Sequence, residues 1–342
     1  MGSVKEVEIL KAATDTAEGE GTFTFSDRYS VFDWGEMPDH IEHKGAALCT
    51  LSSYFFSLLA KKGIKSHFLG LAEGNKITPY ENAFKPFNKM KVQVLRVVRP
   101  SYNKEKNTYN YAQYDNIKGN YLIPLEVIYR NSLPEGSSVF KRIKNGTVTF
   151  QALGLEKMPV PGDDLKTPIL DVSTKLEHTD RYIDWAEAGV ISGLRGEGIQ
   201  KVKKLILEIN ALITERCASA GIKNVDGKFE FGMNSSGEII VVDVLGTPDE
   251  CRFTIDGFHI SKEIARRHYR ATEWAAEVEK AKKERGNDWK TFVKTAPPKL
   301  PLEMKNLISQ MYQAVTNEIT GNKFFNVPSL SKIIPELKKY DK

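Results

Sequence analysis

The stretch KFEFGMNSSGEIIVVDVLGTPDECRF, residues 228–253, sets two acids, Glu230 and Asp243, inside otherwise apolar, strand-like text. Residues 228–234 and 238–245 both have strand composition, and the Ser-Ser-Gly between them is a turn signal. A two-residue loop at Ser236 and Gly237 sets Ser235 opposite Glu238 and, counting back along both strands, Glu230 opposite Asp243. Directly paired residues project from the same face of a sheet. This register predicts two facing carboxylates on one face and Phe229, Phe231, Ile240 and Val242, as core material, on the other. Like charges that close repel, so something cationic belongs between them. Two readings stay open here: a hard cation such as Mg2+, which takes a couple of carboxylates plus phosphate oxygens, or a separate Lys or Arg for each acid. A slip of one residue would send the acids to opposite faces.

The rest of the chain bounds the possibilities. A length of 342 residues is enough for two lobes, or for one large domain with additions. Hydrophobic residues make up 41% and charged residues 27%, the balance of an ordinary globular protein. The net charge of +5 is modest and its positive residues are dispersed, which argues against a nucleic-acid partner. Cys49, Cys217 and Cys251 are too few and too far apart for a disulfide framework or a thiolate metal site, so a reducing compartment is expected. No apolar run is long enough to span a membrane, and the N-terminal residues lack the apolar core of a signal peptide. A cytoplasmic location is the expectation.

Along the chain, VKEVEIL and TFTFSD read as strands, ALCTLSSYFFSLLAKKG as an amphipathic helix stopped by Gly63, and KVQVLRVVRP and YLIPLEVIYRN as strands. Residues 101–120, polar and rich in tyrosine, look like an inserted excursion. Gly and Pro in residues 154–164 mark an irregular crossing where lobes could meet. DRYIDWAEAG, EGIQKVKKLILEINALITERCASAG, SKEIARRHYRATEWAAEVEKAKKERG and PLEMKNLISQMYQAVTNEITG read as helices. Mainly antiparallel strands followed by strands mixed with helices make the class α+β. Exposed apolar positions on the C-terminal helices leave room for a homo-oligomer.

Some patterns carry no chemistry. Gly193, Gly196 and Gly198 lie between two helices rather than in a strand-to-helix phosphate loop. His40 and His43 lack a third metal ligand. Three stretches are richer. FSDRYSVFD packs Asp27, Arg28, Ser30 and Asp33 among aromatics; EVIYRNSLPEGSSVFKR leads Arg130 into a Gly-Ser-Ser loop beside Lys141 and Arg142; TPDECR puts Arg252 just past the acidic hairpin. Hydroxyls, amides and guanidinium groups suit anions. Basic loops beside two facing acids describe a site for a magnesium nucleotide and a second anionic substrate.

SDRYSVFDWGEMPDHIEHKGAALCTLSSYFF, PLEVIYRNSLPEGS, STKLEHTDRYID, KFEFG and VVDVLGTPDECRF, in this order, resemble the SAICAR synthetase (phosphoribosylaminoimidazole-succinocarboxamide synthase) family of purine biosynthesis. The resemblance implies a small, kinase-like antiparallel lobe over residues 1–125 and a larger α+β lobe over residues 126–342, with ATP between them. It implies ATP-dependent joining of L-aspartate to the carboxylate of carboxyaminoimidazole ribonucleotide (CAIR), by way of an acyl phosphate; the alternatives are a related ATP-dependent ligase or phosphotransferase acting on another carboxylate, or a nucleotide-binding regulatory paralogue. By position, Glu230 and Asp243 would bind the Mg2+ held by the ATP phosphates, and Lys5 and Lys175 would lie close to the nucleotide. Lys228 and Asp226 would lie near the reacting groups, with Arg252 at the substrate phosphate or carboxylate. Arg130 and Ser137 would hold the ribonucleotide, and Asp27, Ser30, Asp33 and Lys44 would form a substrate-side loop. The chain departs from the family pattern at Ser3, where a basic residue is usual, and at Val244, where an acid usually follows Asp243. One extra residue between Arg130 and the Gly-Ser pair leaves Ser137 or Ser138 as the match, and residues 101–120 and the long C-terminal helices exceed the compact family form.

Overall fold

The computed structural model describes residues 4–340, apart from the side chains of residues 286 and 287, so Ser3 lies outside the described residues. The smaller of two main antiparallel sheets holds β1 (Lys5–Lys11), β2 (Gly19–Phe25), β3 (Phe68–Glu73), β4 (Lys76–Thr78) and β5 (Lys89–Val94), in the order β1-β2-β5-β3-β4. Helix α1 (Lys44–Lys61) packs against it. A separate hairpin, β6 (Ser101–Asn103) and β7 (Thr108–Asn110), occupies the tyrosine-rich excursion.

The larger sheet holds β8 (Tyr121–Ser132), β9 (Asp164–Thr174), β10 (Tyr182–Ile183), β11 (Lys223–Met233), β12 (Ile239–Val242), β13 (Cys251–Ile255) and β14 (Phe258–His259). Its order is β10-β9-β8-β11-β13-β14, with β12 paired to β11. The helices of this half are α2 (Ser138–Lys144), α3 (Trp185–Ser192), α4 (Glu197–Ser219), α5 (Glu263–Arg270), α6 (Glu273–Arg285), α7 (Leu302–Thr320) and α8 (Leu330–Lys338). The chain passes from one sheet to the other between Val94 and Tyr121, so position 125/126 falls inside β8. Residues 154–164 are not where the sheets meet: they lead into β9 within the larger sheet's half.

One face of the larger sheet makes the core. Alternation along β8 and β11 sends Val127, Tyr129, Phe229 and Phe231 to the same side. There they meet Ile199, Val202, Ile206, Ile209 and Ile213 of α4, spaced at helical intervals along one stripe. The C-terminal helices also look inward. Met304, Ile308, Met311, Val315 and Ile319 of α7 are buried, and α7 packs on α1 and α8, while Leu302 at its start stays exposed. Within DRYIDWAEAG the helix begins only after Asp184, whose carboxylate accepts the Glu187 amide at 2.7 Å; the residues before it form β10. Among the described residues, no helix is long and apolar enough to cross a membrane.

Candidate active site

The acidic hairpin has a different register from the expected one. Glu230 pairs with Val242, Phe231 with Val241 and Met233 with Ile239, one residue from the expected alignment. The cause is the turn. Asn234 and Glu238 close a three-residue loop in which Gly237 adopts φ +76°. The Asn234 side-chain oxygen accepts the amides of Ser236 (3.1 Å) and Glu238 (2.8 Å), an Asx arrangement that the dipeptide Ser-Gly does not announce. As a result Ile240 and Val242 share the face of Glu230, where they cluster with Leu95, and Val241 joins the core instead. Asp243 still reaches Glu230. It lies just past β12 with φ +69°, a left-handed turn that swings its carboxylate back toward the acid the register alone would have left behind.

The face opposite the core carries the polar groups. Asp226, Lys228 and Glu230 alternate along β11; Arg130 and Glu126 lie across from them on β8; Asp171 extends the row on β9, and Arg252 on β13. At one end, Lys175 bridges Glu126 (2.8 Å) and Glu230 (2.7 Å), Lys228 bonds Glu126 at 2.7 Å, and Lys5 of β1 pairs with Asp243. Burial and the Asp243 charge push the Glu230 carboxyl upward, whereas Lys5 and Lys175 hold Asp243 below the usual carboxylate range despite its burial. Against the same burial cost, Lys228 and Lys175 keep Glu126 ionised, and the surrounding acids keep both lysines protonated. Of the two open readings the structure shows a separate lysine for each acid, Lys175 for Glu230 and Lys5 for Asp243, with the two carboxylates still close enough to repel.

Arginine dominates the other end. Arg252 makes a two-point contact with Asp226, whose second oxygen also meets Arg130 at 3.4 Å. Arg130, almost fully buried, also reaches Asp171 (3.3 Å), Ser138 (3.1 Å) and the Tyr182 hydroxyl (3.2 Å). Its Nε has no hydrogen-bond partner among the described residues. Two cavities are lined by groups at this end. One of about 760 Å³ is lined by Ser138, Arg142, Asp171 and Tyr182. Another, of about 660 Å³, is lined by Arg252, His259, Arg267 and Arg270. Ser137 is the N-cap of α2, its oxygen accepting the Val139 amide, so Ser138 is the hydroxyl that meets Arg130 more closely.

The substrate-side loop divides. Ser30 and Asp33 line a cavity of about 200 Å³ with Glu250 and Lys262, and Glu250 in turn lies 3.6 Å from Lys228. Asp33 pairs with Lys282 at 2.8 Å. Asp27 and Lys44 have structural duties. Both oxygens of Asp27 accept amides at the start of α1, those of His43 (3.1 Å) and Gly45 (3.0 Å). Lys44 is buried and bonded to Asp249 at 2.6 Å. Sequence patterns alone do not single out Glu126, Glu250, Lys262 or Asp180. Asp180 is exposed, yet desolvation and the Glu126 charge push its carboxyl up to about 6. The alternation of Glu126 with Arg130 in PLEVIYRN is the signal that could have found the first of these.

Comparison with known proteins identifies the family. The model of the SAICAR synthetase family matches residues 10–282. A protein of Archaeoglobus fulgidus, provisionally named phosphoribosylaminoimidazole-succinocarboxamide synthase, is 45% identical over 99% of both chains. Among solved structures, SAICAR synthase from Saccharomyces cerevisiae in complex with SAICAR superposes with a TM-score of 0.64, 24% identity and 95% coverage of each chain. A SAICAR synthetase in complex with ADP gives a TM-score of 0.60 at 22% identity, covering 96% of this chain and 99% of that one. With a family match across most of its length and a near full-length relative at this identity, the chain belongs to the SAICAR synthetase family.

Proposed function

We propose that this protein joins L-aspartate to the carboxylate of CAIR at the expense of ATP, giving SAICAR, ADP and phosphate, as the names of its relatives imply. The observation that carries the reading is the single polar sheet face, with paired acids and lysines at one end and an arginine cluster at the other. A carboxylate is a poor electrophile. Its oxygen first attacks the γ-phosphorus of ATP with departure of ADP; the aspartate amine then attacks the acyl carbon, and phosphate leaves with that oxygen.

Among the described residues no group of three or more acids, His or Cys is placed to hold a metal ion. Two carboxylates suit Mg2+, which completes its coordination with phosphate oxygens and water. Glu230 and Asp243 would hold it, and when bound it would neutralise charge on the phosphates. Lys5 and Lys175 face the phosphates in this reading. Val7 and Ile9 alternate with Lys5 along β1 and are about half exposed, which offers an apolar cover for a base. Lys228 stays protonated beside Glu126 and Glu250, so it stabilises negative charge rather than accepting a proton. Asp226, Arg252, Arg130 and Ser138 hold the ribonucleotide, with Ser137 fixing the helix that presents Ser138. Ser30 and Asp33 line the approach of the second substrate. Asp180, on the same loop as Lys175 and with its carboxyl pushed up to about 6 by desolvation and the Glu126 charge, would accept the proton of the attacking amine. A cytoplasmic location belongs to the same proposal, as does a division of labour between the smaller sheet, which covers the nucleotide, and the larger, which carries the chemistry.

The test is ADP release by purified protein with Mg-ATP and CAIR, with and without L-aspartate. Aspartate-dependent release matched by SAICAR formation supports the reading. ATP binding without turnover would move the assignment to another acceptor.

A further inference from the structure

The loop that follows β9 carries Lys175 and Asp180, yet it has no regular secondary structure. Its base is tied by the Thr174 amide to the Arg181 carbonyl (3.0 Å) and by the Arg181 amide to the Thr174 hydroxyl (3.1 Å). Its tip is held from outside. Tyr109 of β7 accepts the His178 amide at 2.8 Å through its hydroxyl, which also bonds the His178 ring Nδ1. Tyr102 of β6, the cross-strand partner of Tyr109, packs edge-on to the His178 ring with centroids 4.9 Å apart. Just past β7, Tyr111 donates to Glu177 at 3.0 Å, and Glu177 pairs with Arg181 at 3.2 Å.

These contacts fall on the excursion that exceeds the compact family form. We infer that the β6–β7 hairpin is a clamp, and that Tyr102, Tyr109 and Tyr111 are positioning residues that fix the loop bearing Lys175 and Asp180. A two-stranded hairpin is marginal on its own in water. β6 and β7 pair only with each other, so the hairpin gains order from the loop while the loop gains order from the hairpin. The base of the hairpin is closed on its own account: past β7, Gln113 donates to the Arg99 carbonyl at 2.6 Å, and buried Tyr114 bonds the Val98 carbonyl, both ahead of β6. Positional error at Lys175 would be felt in nucleotide use, because lysine acts on phosphates as a point charge whose effect depends on distance.

The functional half of this inference rests on the proposed phosphate role of Lys175, so the experiment separates the two. Hydrogen exchange of residues 175–181 and steady-state kinetics are measured on the full-length protein, its Tyr102→Ala/Tyr109→Ala double variant and the milder Tyr109→Phe. The clamp predicts faster exchange confined to this loop, a KM for Mg-ATP raised about tenfold, and a KM for aspartate within about twofold of the parent; Tyr109→Phe follows in the same direction by a smaller factor. Unchanged exchange overturns the clamp, and faster exchange with unchanged KM for Mg-ATP overturns its positioning role. Lys175→Met tests the underlying site: a wild-type KM for Mg-ATP there removes the phosphate role itself, whatever the exchange data show.

Discussion

Lys44 offers the sharpest test of the division between structural and substrate-facing groups. The sequence resemblance puts it in the substrate-side loop, whereas its side chain is 1% exposed, its ammonium lies 2.6 Å from Asp249, and Tyr312 donates to the other Asp249 oxygen at 2.7 Å. This triad ties α1 to α7 and to the loop before β13. In Lys44→Met the apolar stem is retained and the charge is lost, leaving Asp249 buried without its counter-ion. Removing one partner of a buried pair costs about 3–5 kcal/mol, a large part of the stability of a typical domain. Urea unfolding should show the loss as a lowered midpoint at unchanged slope. The pH dependence has a definite sign. Despite burial, Lys44 holds the Asp249 carboxyl below its ordinary value, so its contribution is present above about pH 4 and is lost as the pH falls through the folded value. In the variant the buried carboxyl titrates upward instead, so the gap between the two proteins narrows on acidification. Replacing Asp249 as well, in Lys44→Met/Asp249→Asn, should recover much of the loss. A Lys44→Met protein with the parental midpoint and a raised KM for CAIR would refute the argument and return Lys44 to the substrate.

Four further outcomes follow from the site. Asp243→Asn should lower kcat about a hundredfold or more while the melting temperature changes little, because it removes charge at the proposed metal position rather than core packing. Arg130→Ala should weaken CAIR binding more than ATP binding in calorimetric titrations; equal weakening would contradict its place at the ribonucleotide end. Gly237→Ala forces a side chain into φ +76° and should cost about 1 kcal/mol in denaturant unfolding with kcat/KM unchanged. With its carboxyl near 6, Asp180 should impose an acid limb on the pH–rate profile that disappears, along with most of the rate, in Asp180→Asn.

The long periodic elements are legible in the amino-acid pattern alone. α4 shows its stripe in EGIQKVKKLILEINALITERC, and β8 and β11 show theirs in PLEVIYRN and KFEFG, because each repeats one spacing often enough to be read. The hairpin register is not legible, since it turns on one Asn side chain closing the loop from within, a local bond that propensity does not report. The meeting of Glu230 and Asp243 is anticipated through an alignment the chain does not adopt; a positive φ at Asp243 restores it. Asp27 and Lys44 look functional in sequence because capping aspartates and buried lysines are the same letters as ligand-binding ones. Only distance and burial separate them. The site-bearing β9 escapes sequence reasoning because its exposed first half, DLKTP, hides the alternation of its second.

The pairing of Lys5 with Asp243 and of Lys175 with Glu230 means that the cleft is neutralised by its own side chains. In the proposed reading Glu230 and Asp243 would hold Mg2+ and so release Lys175 and Lys5 to meet the incoming phosphates, which would make nucleotide entry an exchange of counter-ions rather than the filling of a charged void. Few small ions from solution need take part. Nucleotide affinity should accordingly vary less with ionic strength than the charge of Mg-ATP suggests. Because Lys5 sits on β1, an edge strand of the smaller sheet, the same exchange would loosen that strand from the larger sheet at the moment the nucleotide arrives and re-fasten it through the phosphates.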